Sequence, residues 1–247
     1  MRLLPFILVL GVTSVASAQP AGKFPPDSLI NTKIFPHSTP VTEVVGAMRN
    51  FTSALGVRCQ FCHVGREGQP LAEFDFAIDI KRNKLVARQM MRMVQEINHR
   101  LDTIPERGKP PVAASCMTCH RGVNRPVPLS QLVQEAAVTA GPDSALRAYK
   151  ALRARYYGRD AYDFSEPSLN IAAFRTAREG KPDDALTLLR YNEELFPNSS
   201  GMSVFKGNIQ LMKGDTAAAE AAFRAAIRRD STNNEARGRL QAIGRKP

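Results

Sequence analysis

Apolar positions in this chain recur at helical spacing, with little sign of the alternation that a strand would show. Thr39-Pro40 is a helix-start signal, and Val41, Val44, Val45, Met48, Phe51 and Leu55 then fall on one face. Gly56 closes that helix. Residues 65–75, with Gly68-Gln69-Pro70, read as a loop. A longer helix is predicted over residues 79–101, its apolar stripe running through Val86, Met90, Met93, Ile97 and Leu101. Met91 points roughly 100° away from Met90 on such a helix. Pro105, Gly108, Pro110 and Pro111 then stop it. Residues 19–40, rich in proline and aperiodic, read as an extended arm, and 123–130, with Pro126 and Pro128, as a linker.

Beyond the linker, over residues 131–247, the composition shifts to alanine and arginine and the pattern becomes repetitive. Gly180, Ala185, Leu189 and Pro197 recur 34 positions later as Gly214, Ala219, Phe223 and Ser231, and Ala173 maps to Gly207. Gly141, Ala145 and Tyr149 suggest an earlier, degenerate copy offset by about forty residues, and residues 234–243 a terminal helix. Small residues at these points let paired helices approach closely, while large apolar ones fill the gaps between neighbours. A 34-residue period of this kind resembles tetratricopeptide repeats. A generic helical bundle is the alternative. The predicted fold class is therefore mainly α: a helix–turn domain over residues 41–122 with little regular strand, then an α-hairpin solenoid.

The turns after the first two helices carry the chemistry. Cys59-Gln60-Phe61-Cys62-His63 follows the first, and Cys116-Met117-Thr118-Cys119-His120 follows the second. Each is a C-x-x-C-H motif, the attachment signature of a c-type haem. Two intervening residues let both sulfurs reach one edge of the ring as thioethers, and the adjacent histidine becomes the first axial ligand of the iron. All four cysteines of the chain, and two of its four histidines, lie in these ten positions. Two covalent haems are expected, attached at Cys59, Cys62, Cys116 and Cys119, with His63 and His120 as proximal ligands. Paired C-x-x-C motifs can also bind zinc, and an exported chain can form disulfides. A zinc site does not require a histidine directly after the second cysteine, and its pairs usually stand about fifteen to twenty residues apart. Here 54 positions separate Cys62 from Cys116. A thioredoxin-like pair would want a βαβ context, and none is nearby.

Each iron then needs a sixth ligand, and a methionine thioether is a common one. Met48 lies on the apolar face of the helix that leads into the first motif. A methionine there is ordinarily core, but the haem changes that expectation. Met90 and Met93 share the stripe of the second helix. His37 and His99 are spare imidazoles, read as surface or structural residues.

These residues also carry a resemblance. Met48-Arg49-Asn50-Phe51-Thr52 with the first motif, then Val86-Ala87-Arg88-Gln89-Met90 and Ile97-Asn98, then the second motif with Arg121-Gly122, resemble one two-haem half of the cytochrome c subunit of photosynthetic reaction centres. In that family a helix precedes each motif and a helical methionine supplies most sixth ligands. The resemblance implies electron transfer, with Met48 and Met90 as distal ligands. The family form carries four haems, one with two histidine ligands; this chain has two motifs.

Charge and the chain's first residues place this chemistry. The formal net charge is +11, which overstates a holoprotein whose two haems would add up to four propionate charges. No basic run is interleaved with aromatics, so nucleic acid is not an expected partner; steering of a negatively charged redox partner is. Residues 1–18 read as a secretory signal peptide: Arg2, an apolar run over 3–12, and Ala16-Ser17-Ala18 before Gln19. That run is too short for a transmembrane helix of about twenty residues, and no cysteine at the cleavage point offers a lipid anchor. The expected protein is exported, periplasmic and without a membrane span. Its expected work is one-electron transfer rather than catalysis, with the repeats docking a redox partner. The rivals are a di-haem peroxidase or other oxidoreductase with one open iron, using His99 or Glu96, and a haem-based sensor or scaffold.

Overall fold

The computed structural model describes residues 22–106 and 108–246. The expected signal peptide lies outside them. Among the described residues every regular element is helical, and a single antiparallel bridge, Val64 to Asp75, is the nearest thing to a sheet. No described helix is long and apolar enough to cross a membrane. The chain divides into two compact units, one of residues up to 53 with 57–115, the other of 54–56 with 116 onward.

The first unit is built on two helices, α1 (Val41–Leu55) and α2 (Arg82–Asp102). Pro40 opens α1 as expected, its carbonyl accepting from Glu43 and Val44 N–H. Gly56 closes it at φ +64°, a conformation that glycine adopts without strain. The second helix begins at Arg82 rather than Asp79, for a reason visible in its first turns. The carbonyls of Phe76, Ala77 and Ile78 accept from Lys84 Nζ at 2.8, 2.9 and 2.9 Å, so residues 76–80 stay as an irregular strap. The N-terminal arm is tied to this strap. Asn31 donates to the Ala77 carbonyl at 2.5 Å, Arg88 donates to the Asn31 carbonyl at 3.1 Å, and the Phe24 and Phe76 rings meet at 5.4 Å.

This unit has almost no apolar core of its own. Among its described residues only Val44 and Lys84 are buried. The stripe of α2 lies open, with Val86, Met90 and Met93 each more than 40 % exposed. The side of α2 that meets protein is instead partly polar: buried Lys84, then Arg88, Met91 and Asn98. Asn98 holds the loop after the helix by a reciprocal pair of hydrogen bonds with the backbone of Ala114, at 3.0 and 2.7 Å.

The second unit holds the hydrophobic clusters. After the short α3 (Cys116–His120), helices pair as hairpins: α4 (Leu129–Ala140) with α5 (Pro142–Tyr156), α6 (Glu166–Arg178) with α7 (Pro182–Leu195), and α8 (Ser200–Met212) with α9 (Thr216–Arg229). The terminal α10 (Asn234–Ala242) packs on α9. Glycines at φ +81°, +79° and +83° (Gly141, Gly180 and Gly214) make the three turns within the hairpins. The positions expected to recur do so in space: Ala145, Ala185 and Ala219 are fully buried, as are Tyr149 and Phe223, with Leu189 nearly so. At Gly207 an added Cβ would run into the Phe223 ring, so helix approach there depends on the missing side chain. Capping side chains start the last three helices, Ser199, Asp215 and Asn233 accepting from Met202, Ala218 and Ala236 N–H.

Candidate functional site

Each C-x-x-C-H motif forms a single helical turn. In the first, Cys59–Phe61 is a 3-10 turn, with His63 N–H donating to the Cys59 carbonyl at 2.9 Å. In the second the motif is α3 itself. Helical spacing of three brings the two cysteines of each motif to one side. All four thiols are free. Burial pushes the Cys62 and Cys116 thiols up from their ordinary value, so both are protonated thiols at neutral pH. Among the described residues no three histidine, cysteine or carboxylate side chains converge on a point that could hold an ion, so no zinc-type cluster is built.

The two histidines are presented differently. His120 Nδ1 lies 2.8 Å from the Val123 carbonyl. A carbonyl only accepts, so Nδ1 carries a proton and donates it there, which leaves Nε2 as the nitrogen that would face a metal. The tight exit that returns Val123 to this position uses Arg121 at φ +47° and Gly122 at φ +88°. Gly122 N–H also donates to the Ala54 carbonyl at 2.8 Å, and an added Cβ on Gly56 would collide with the Gly122 carbonyl. His63 Nδ1 is buried with no hydrogen-bond partner. Burial first, then the Lys84 charge, pushes its pKa down to about 4; the Phe76 backbone acts in the opposite direction without making a hydrogen bond to Nδ1. That ring is neutral at pH 7.

The wall behind His63 is the Phe76 ring, edge-on with centroids 4.9 Å apart, and Phe74 stacks on Phe76 at 5.7 Å. A cavity of about 370 Å³ opens beside Cys59, lined by Thr52, Val57, Arg58, Arg66, Leu71 and Phe74 among others. Met48 is half-buried on α1, and Met90 is 42 % exposed on α2.

These residues fit a covalent haem on three counts. His63 is neutral and His120 is oriented through its Nδ1, each motif presents two thiols on one side, and the described residues of the first unit lack the apolar filling that the open α2 stripe calls for. The sequence pattern did not single out Lys84, Asp79 or Phe76. A lysine is rarely buried, and the three carbonyls gathered around this one, with the Asp79 carboxylate at 2.8 Å, explain it.

A family model described as the photosynthetic reaction centre cytochrome c subunit matches residues 68–148. The match takes in α2 and the second motif and runs on into α5, while the first motif and Met48 precede it. The photosynthetic reaction center cytochrome c subunit of Thermochromatium tepidum is 31% identical over 99 residues, covering 36% of this chain and 23% of that protein. The chain thus spans about a quarter of the relative's length.

Proposed function

We propose that this protein is a di-haem c-type cytochrome that carries single electrons. The observation that carries the reading is the repeated C-x-x-C-H motif, with His63 held neutral by burial and His120 oriented by its Nδ1 contact with the Val123 carbonyl. The partial match to a reaction centre cytochrome c subunit supports the same class of cofactor and task.

Cys59, Cys62, Cys116 and Cys119 hold the two groups. Each thiol adds across a vinyl double bond, the sulfur bonding to one carbon and the thiol hydrogen ending on the other. His63 and His120 ligate, and Met48 and Met90 are the proposed sixth ligands. When bound, haem iron supplies a one-electron Fe(II)/Fe(III) couple. Methionine opposite histidine favours the reduced form relative to two histidines. Arg58 and Arg66, against the one carboxylate of Glu67, leave an excess of positive charge at the cavity beside Cys59, suited to the carboxylates of the group.

The di-haem domain is proposed to span residues 41–122, after residues 1–18 direct export to the periplasm. The hairpins of residues 131–247 are proposed as tetratricopeptide-like repeats that dock a redox protein, since stacked hairpins present extended binding faces.

The test is the intact mass and alkaline pyridine spectrum of protein made in a host that matures c-type cytochromes. The expected result is two haems per chain, falling to one when Cys59 and Cys62, or Cys116 and Cys119, are changed to alanine. Zero or one haem on the unaltered chain would overturn the proposal.

A further inference from the structure

Among the described residues of the first unit Lys84 is the one charged residue that is buried, at 8 % exposure. Its nitrogen is surrounded by three carbonyl oxygens, those of Phe76, Ala77 and Ile78, all within 2.9 Å. A neutral amine has two N–H bonds and cannot satisfy three acceptors, so this is the ammonium form. Asp79 Oδ1 stands 2.8 Å away as an ion-pair partner, and Asp79 Oδ2 pairs with Arg88 at 2.7 Å. With Lys84's three donors on carbonyls, Asp79 Oδ1 has no hydrogen bond of its own. A second carboxylate, Asp75, accepts from the Ala77 and Ile78 N–H groups at 2.9 Å, so the two cations at the strap face two carboxylates, and Lys84 is the buried cation among them.

We propose that Lys84 is a positioning residue for the first motif: its ammonium clasps the strap that holds Phe76 against His63, and its charge raises the reduction potential of the haem bound there. The inference rests on the proposed function. Three observations support it. The strap begins at Asp75, which bridges to Val64 next to His63. The Phe76 ring bears on the His63 ring. The Lys84 ammonium donates to the backbone carbonyl of that same Phe76 at 2.8 Å, which fixes its charge on the residue that touches His63. A fixed positive charge near the iron disfavours Fe(III), which carries one more positive charge than Fe(II), and in a poorly solvated setting the effect is large.

The test is a redox titration of the full holoprotein and three variants, following both haem midpoints. In Lys84→Met one midpoint falls, so that the ratio of reduced to oxidised first haem at its original midpoint drops on the order of tenfold, about 59 mV for one electron. In Asp79→Asn the same midpoint rises, and in Lys84→Arg it stays near the original value; the second haem is unmoved throughout. A role in shaping the strap alone predicts a different pattern. Loosening by either Lys84→Met or Asp79→Asn would admit water and lower the midpoint in both. Same-sign shifts, or none, therefore overturn the inference. Should Lys84→Met fail to take up haem, the sign in Asp79→Asn decides. Original protein with no haem on Cys59 and Cys62 overturns the proposed function and this inference together; two haems with an unmoved midpoint overturns this inference alone.

Discussion

The carboxylate of Asp79 meets Arg88 at 2.7 Å and Lys84 at 2.8 Å, and these partners, Arg88 first, hold its carboxyl well below the ordinary value of 3.8. The folded pKa is thus below the unfolded one. The network's stabilisation is fully present above the unfolded value and is lost as pH falls through the folded one, because the unfolded chain takes up a proton that the folded chain refuses. Stability of the first unit should therefore decline as pH drops below about 4, and Asp79→Asn should flatten that decline. Urea unfolding of the holoprotein at several acidic pH values checks both slopes. At Met90 the expectation is spectroscopic. Met90→Ala should cost the second haem its methionine–iron charge-transfer band and its low-spin spectrum. Retention of both would pass the role to Met91, Met93 or a histidine. None of this was legible for Lys84, since its burial depends on carbonyls supplied by a strap whose shape the residue pattern does not encode. The cysteines and the two motif histidines were legible because their spacing is set by covalent chemistry.

Among the elements, α1 and the hairpins were the most readable. Pro40 and Gly56 mark the ends of α1 by backbone constraint alone, and the 34-residue recurrence follows from packing that needs small and large residues at fixed points. Phe223 over Gly207 shows why. Phe223→Ala, at a fully buried position, should destabilise the second unit by about 3–5 kcal/mol. Gly207→Ala should cost about 1–3 kcal/mol by overpacking the same contact. Thermal unfolding followed by circular dichroism measures both. The start of α2 was less readable, because helical periodicity runs through residues 79–81 while the carbonyls just before them serve Lys84. Periodicity marks its apolar stripe, but it reports a face and is silent on what covers it. In the structure the stripe is open and a partly polar side meets protein.

On the scale of the molecule, two units of similar helical character differ in how they could be stable. Residues beyond 128 bury Leu, Ala, Tyr and Phe side chains in continuous clusters, whereas the described residues of the first unit bury Val44 and Lys84. Removing all four cysteines should therefore leave the second unit folded and the first open to protease. Limited proteolysis should then yield a resistant fragment beginning near Leu129. The formal charge of +11 also predicts that electron transfer to an anionic acceptor slows as salt rises; stopped-flow rates at increasing ionic strength measure this. The most direct test of the whole account is an optical spectrum of the purified holoprotein, oxidised and reduced, with and without carbon monoxide. Two low-spin haems, a methionine–iron charge-transfer band and no change with carbon monoxide are the predicted result. A high-spin component that binds carbon monoxide would contradict it, because an open iron belongs to an enzyme or a sensor rather than to an electron carrier.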